Sequence, residues 1–110
     1  MYGDGGQSRD FTYVDNVVEA NLLAARAQGA AGAVCNVGCG QRRTLNELLQ
    51  LLAELTGLPV EPHYGPDRTG DVRHSLADIS LARRLLGYEP HTGFEEGIRR
   101  TIEYQKNYEL

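Results

Sequence analysis

The chain has 110 residues, one domain's length, with 41% hydrophobic residues, 24% charged residues and a formal net charge of -4. Eleven basic against fifteen acidic residues exclude a non-specific nucleic-acid binder, whose affinity rests on neutralising phosphates, and no run approaches the ~20 apolar residues of a membrane helix. Met1-Tyr2-Gly3-Asp4-Gly5-Gly6 has neither the basic region nor the apolar stretch of a signal peptide, and Cys35 and Cys39, four apart, fit neither a redox nor a zinc spacing and read as reduced thiols of a cytoplasmic protein.

In chain order, a glycine- and aspartate-rich segment leads to Ser8-Arg9-Asp10, and Phe11 to Val14 reads as a short strand. Asp15 suits the first turn of a helix through Val17, Val18, Leu22 and Ala25, ended by Gly29 and Gly32. Ala33 to Val37 reads as a buried strand, followed by the turn Gly38-Cys39-Gly40. Thr44-Leu45-Asn46-Glu47 has the spacing of a capping box, in which hydroxyl and carboxylate satisfy unpaired amides reciprocally. The helix behind it places Leu45, Leu48, Leu49, Leu52 and Leu55 on one face and stops at Gly57 and Pro59. Val60 to Tyr64 is a further expected strand, and Gly65 to Asp71 a loop by composition. Asp78 or Ser80 caps a short helix through Ile79, Ala82, Leu85 and Leu86, ended by Gly87. Thr92 and Glu95 have the spacing of a second capping box, opening a helix with Phe94, Ile98 and Ile102 four apart; the tail Tyr104 to Leu110 continues it and frays. The expected fold is a small α/β domain, one unit over residues 1–110, of four helices and about three short strands.

Several motifs that could carry chemistry are incomplete. Gly3-Asp4-Gly5-Gly6 lacks the spacing and the Gly-Lys-Ser/Thr of a phosphate loop, and Gly38-Cys39-Gly40 lacks the third glycine of a dinucleotide loop; both read as tight turns. His63, His74 and His91 are scattered without ligand spacing, so no metal site is expected. No nucleophile–base pair is evident. Ten of the eleven basic residues are arginine, the side chain that grips phosphate through a planar fork. Arg9 and Arg68 stand out because each lies in a loop beside glycines, where the backbone approaches closely while the guanidinium holds an anion. Asp71, in the same loop as Arg68, can accept from a hydroxyl or orient an arginine. An ordinary Arg–Asp surface pair is the plain alternative.

Tyr2-Gly3-Asp4-Gly5-Gly6-Gln7-Ser8-Arg9-Asp10-Phe11-Thr12-Tyr13-Val14-Asp15-Asn16-Val17-Val18 resembles the YGDGxQxRDFxYVxDVV segment of the NAD-dependent epimerase/dehydratase family, extended short-chain dehydrogenases acting on nucleotide sugars. Asn36 to Gly40 with Thr44 to Leu48, then Pro66 to Ser80, then Leu86-Gly87-Tyr88-Glu89-Pro90 and Phe94 to Ile98 resemble the family's later motifs in order, across nearly all of the chain. Gly70-Asp71-Val72-Arg73-His74-Ser75 is similar to the form in UDP-glucose and UDP-N-acetylglucosamine 4-epimerases.

The resemblance implies the C-terminal substrate-binding part of such an enzyme, with the full Rossmann half absent from these residues. The glycine fingerprint is missing, and the family's Tyr-x-x-x-Lys would pair Lys106 with position 102, which is Ile102. The implied function is binding of a nucleotide sugar, with Arg9 and Arg68 on the diphosphate, Phe11 lining the nucleoside pocket, Leu45 against the uracil face and Asp71 accepting from a ribose hydroxyl. Both guanidinium groups are expected in one cleft with Asp71 and Phe11 nearby. NAD belongs to the full-length family, and no cofactor is expected on this chain alone, which is expected to be inactive as an isomerase and to bind UDP-sugar weakly. A different class of function is also open: a non-catalytic interaction or assembly module that self-associates, or a subunit completing a separate chain that bears the Rossmann half. No nucleic-acid or membrane partner is expected.

Overall fold

Thr44 and Glu47 start the clearest local structure in the chain. The Thr44 hydroxyl accepts from the Glu47 amide at 3.0 Å and the Glu47 carboxylate accepts from the Thr44 amide at 3.1 Å, the reciprocal pair expected from the spacing and worth about 1 kcal/mol against alanine. In the computed structural model, which describes residues 1–108, the elements are β1 (Ser8–Arg9), α1 (Val14–Arg26), β2 (Arg43–Thr44), α2 (Leu45–Thr56), α3 (Ser80–Leu86) and α4 (Phe94–Tyr108). The end of the expected tail, Glu109 and Leu110, lies outside the described residues. The fold is the expected small α/β arrangement of four helices, with a two-stranded sheet.

The helices follow their signals closely. Asp15 sits in the first turn of α1, where a carboxylate complements the positive helix end. α1 stops at Arg26, capped by extended Ala27, before Gly29 and Gly32 take left-handed conformations in the turns beyond. Gly57 and Gly87 end α2 and α3 with φ of 70° and 67°, where a side chain would be strained. The Asp78 carboxylate accepts from the Ser80 amide at 3.0 Å, as its position suggests.

Three expected strands and one cap are corrected. Phe11–Val14, whose last residue opens α1, Ala33–Val37 and Val60–Tyr64 form no ladder among the described residues. An extended segment becomes a strand only when a neighbour supplies the matching amides and carbonyls, and these three segments have none. Val34 is 88% exposed, so its run is not buried either. The ladder that does form pairs β1 antiparallel with β2, Ser8 opposite Thr44, and single parallel bridges join Ser8 to His74 and Tyr2 to Gly65. The Thr92–Glu95 box is replaced by a tertiary clamp: Asn16 Oδ1 accepts from the His91 and Thr92 amides at 3.1 Å each, and Asn16 Nδ2 donates to the Thr92 carbonyl at 2.7 Å. α4 therefore starts one residue later, with the Gly97 amide bonded to Gly93 O.

The core is small. α1 packs on α3 and α2 on α4. Ala20, Ile79, Ala82 and Tyr88 are buried, with Leu23, Cys35, Val37, Ala77 and Leu86 partly buried around them. The leucine stripe of α2 has no fully buried member. The radius of gyration is 16.4 Å, against about 13 Å for a compact domain of this length. The accessible surface is 7763 Å², against about 6000 Å² for a folded monomer of this mass. No helix of the described residues is long and apolar enough to cross a membrane.

Candidate functional site

β1 occupies the middle of the site because its two edges are both paired. One edge meets β2. On the other, the Ser8 amide donates to Arg73 O at 2.9 Å and the Ser75 amide to Ser8 O at 3.0 Å. Ser8 is buried, with its hydroxyl oxygen 2.6 Å from His74 Nδ1. Upstream, the Gly3 amide donates to Gly65 O and the Gly65 amide to Met1 O. The loop from Gly65 to Arg73 is thereby pinned at both ends to the N-terminal segment, which brings residues some sixty positions apart into contact.

Two ion pairs fasten this loop. Arg9 Nη2 donates to Asp71 Oδ1 at 2.8 Å, while Arg9 Nη1 donates to the carbonyls of Ser8 and Arg73. Arg73 binds Asp4 through both terminal nitrogens, at 2.8 and 3.3 Å. Gly6 leaves the room for this contact: a Cβ there would lie 2.5 Å from Arg73 Nη2. The Arg73 hydrogen bonds and the Gly6 amide hold the Asp4 carboxyl down at about 2, from an ordinary 3.8. A lowered carboxyl contributes its stabilisation above its ordinary value and loses it as pH falls through the folded one. The Arg73 side-chain N–H signals are therefore expected to shift on acidification from pH 4 to pH 2, and to stay unchanged over that window in Asp4→Asn.

Arg68 lies with its guanidinium 5.8 Å from the centre of the Tyr2 ring. Among the described residues no carboxylate lies within ion-pair distance of it. It lines a cleft of about 220 Å³ together with Tyr2, Gln7, Asp67, Asp71 and Arg73. Arg9 lines an adjoining hollow of about 380 Å³ with Asp10, Thr12, Asn36, Gly38 and Ser75. Arg9 and Asp71 touch at the boundary between the two. Phe11 is elsewhere: its ring stands 5.7 Å from that of Phe94 in a third hollow, with the Arg43 guanidinium over Phe94. Leu45, partly buried, opens α2, and its amide donates to Gln7 O.

The structure thus brings Arg9, Arg68 and Asp71 together, but in two adjoining clefts rather than one, and it separates Phe11 from them. The aromatic contact with α4 accounts for this, since the Phe11 ring stands against that of Phe94. Two members of the site were not singled out from sequence. Gln7 is buried, its Nε2 donates to Tyr2 O, and its Oε1 has no partner. Asp10 accepts from the Cys39 and Gly40 amides at 3.1 and 2.9 Å. Their places on fixed letters of the YGDGxQxRDFxYVxDVV segment were the sequence signal for both.

The Asp10 contact also occupies the amides that a dinucleotide diphosphate would need at the second glycine turn. A dinucleotide diphosphate needs glycine-turn amides directed at it from a helix N-terminus. Here the Cys39 and Gly40 amides of the glycine turn after the Ala33–Val37 segment are already bonded to the Asp10 carboxylate, and a Cβ at Gly38 would meet that carboxylate at 2.6 Å. The Gly6 amide is likewise bonded to Asp4. Neither glycine turn offers these amides to a dinucleotide diphosphate.

Comparison with known proteins places this geometry in context. The family model for GDP-mannose 4,6 dehydratase matches residues 1–101. A UDP-glucose 4-epimerase of Mycolicibacterium smegmatis is 39% identical over 107 residues, covering 97% of this chain and 34% of the relative. The solved structure of Thermotoga maritima UDP-glucose 4-epimerase with UDP-glucose superposes with a TM-score of 0.90 at 46% identity, over 97% of this chain and 34% of that one. MoeE5 in complex with UDP-glucuronic acid and NAD gives 0.92 at 43% identity, over 97% and 36%. The chain spans about a third of the length of the proteins it matches.

Proposed function

Because the chain belongs to the GDP-mannose 4,6 dehydratase family, we propose that residues 1–110 act as one domain, the nucleotide-sugar-binding part of a cytoplasmic UDP-sugar epimerase/dehydratase of the 4-epimerase-like kind. Arg9 and Arg68 hold the diphosphate, Asp71 accepts from a ribose hydroxyl, Phe11 lines the nucleoside side and Leu45 faces the uracil. The carrying observation is Arg68, free of any carboxylate among the described residues, in a cleft that also holds Asp71, which is itself bonded to Arg9. The likeness to proteins solved with UDP-glucose and UDP-glucuronic acid supports the ligand class. As an isolated polypeptide the chain turns over no UDP-sugar, since Tyr-x-x-x-Lys is missing from it and the Cys39 and Gly40 amides of its glycine turn are bonded to Asp10.

Phosphorus NMR titration with UDP tests the reading. Solvent-exposed charge contacts are worth about 0–1 kcal/mol each, so binding is expected on the order of millimolar and is expected to weaken as salt rises. Arg68→Ala is expected to weaken UDP binding about threefold or more. Arg73→Ala is expected to change it less, because Arg73 is committed to Asp4. Arg68→Lys should resemble Arg68→Ala, since an ammonium lacks the planar fork. Unchanged affinity in Arg68→Ala would refute the assignment.

A second reading, an assembly module that self-associates or completes a separate Rossmann chain, has its own observation. Val14, Val17, Val18 and Leu22 form one stripe along α1 and are 39 to 62% exposed. The surface in excess of a compact monomer, about 1700 Å², is comparable to the total buried in a standard protein interface. Sedimentation equilibrium of the pure chain is expected to give a mass above 12.1 kDa that rises with concentration, and Val18→Glu is expected to restore the monomer.

A further inference from the structure

The residues proposed to bind ligand are bonded to one another. Arg9 Nη1 donates to two main-chain carbonyls, of Ser8 and Arg73, so the guanidinium is fixed relative to β1 and the strand-like segment beside it. The Asp71 carboxylate sits on Nη2 at 2.8 Å. Asp71 is the more movable partner: it follows Gly70, which takes φ of 82°, and its own amide is bonded only to Arg68 O within the same loop. An anion approaching Nη2 therefore displaces Asp71 rather than drawing Arg9 outward.

We infer that Asp71 is a specificity-determining residue, an internal anion that holds Arg9 until a ligand displaces it. A bare anion takes Arg9 but leaves the Asp71 carboxylate without its cation. A diphosphate that also carries neighbouring hydroxyls replaces the carboxylate on Arg9 and returns donors to Asp71, so the exchange loses little. Inorganic anions such as pyrophosphate lack the hydroxyl half of this exchange. The inference rests on the nucleotide-sugar reading and deepens it, by making a diphosphate joined to a diol the ligand that the resting ion pair selects. The pair is partly exposed, and its selectivity is accordingly a few-fold effect.

The test is titration with inorganic pyrophosphate and with UDP of the unsubstituted chain, Asp71→Asn and Asp67→Asn. Asp67 lines the same cleft as Arg68 and Asp71 and has no bond to Arg9, so its substitution removes the same charge without freeing the guanidinium. Asp71→Asn is expected to tighten pyrophosphate at least threefold more than Asp67→Asn does. The ratio of UDP to pyrophosphate affinity is expected to fall at least threefold in Asp71→Asn and to hold in Asp67→Asn. Equal effects of the two substitutions on pyrophosphate, or an unchanged ratio in Asp71→Asn, would overturn the inference, as would failure of Asp71→Asn to bind pyrophosphate. UDP binding no tighter than pyrophosphate in the unsubstituted chain would overturn the nucleotide-sugar reading and with it the selectivity inferred for Asp71, whereas equal effects of the two substitutions with UDP still the tighter ligand would overturn the inference alone.

Discussion

Replacing Tyr88 by alanine is expected to destabilise the chain by about 3–5 kcal/mol, the range for truncating a large buried aromatic. Tyr88 is the one large side chain that is fully buried among the described residues, and its core companions are Ala20, Ile79 and Ala82. Two alanines and one isoleucine cannot close around the cavity it would leave. Its hydroxyl also donates to the Gly38 carbonyl at 2.7 Å, so Tyr88→Phe is expected to cost about 1–3 kcal/mol for the orphaned acceptor. Small domains have only about 5–15 kcal/mol in total. Urea unfolding followed by circular dichroism measures both variants, and a Tyr88→Ala midpoint close to that of the unsubstituted chain would contradict the core assignment. The site depends on the same contact. Gly38 belongs to the turn that Asp10 holds, next to Arg9 in sequence and lining the same hollow. Loosening Tyr88 therefore loosens the wall beside the arginine.

Asn16→Ala has the second largest expected effect, about 3 kcal/mol. Asn16 is buried and satisfies three main-chain groups at once: the amides of His91 and Thr92 and the carbonyl of Thr92. Each buried polar group left unpaired costs about 1–3 kcal/mol, and losses at adjacent groups are not additive. The His91–Thr92 segment leads into α4, so α1 would lose its hold on the start of that helix. Amide exchange should accelerate most at His91 and Thr92, and the unfolding midpoint should fall. If those two amides keep their protection while stability drops, the clamp is not what Asn16 contributes.

The helices were legible in the sequence because helix formation is local. Thr44 with Glu47, Asp15, Gly57 and Gly87 each act within a turn of their own position, and the structure places their helices accordingly. The resemblance of the Arg9 and Arg68 segments to a known family was also legible, and the family match bears it out. Strands were not, because a strand is a relation between two segments. Val60 to Tyr64 and Ala33 to Val37 have apolar, extended character and no partner, whereas Ser8 and Arg9, unremarkable as a strand by composition, pair with Thr44 and Arg43, and Ser8 with His74 on its other side.

The amino-acid sequence by itself determined that there are four helices, where α2 starts and where α2 and α3 stop, which arginines sit in glycine-bearing loops, and the family. Tertiary structure alone decided what those arginines touch. Arg9 meets Asp71 and Arg73 meets Asp4, each across more than sixty residues, although each arginine has the other carboxylate far nearer in sequence. Pairing follows from the backbone bridge between Ser8 and His74, which sets the register of the loop against the N-terminal segment. The glycine turn was decided in the same way. Its sequence read as a tight turn, and the fold brings onto its amides the Asp10 carboxylate, from 29 and 30 positions away. The physical reason is common to both: a buried or half-buried polar group takes the partner that the chain's path delivers, and that path is set by contacts distant in sequence.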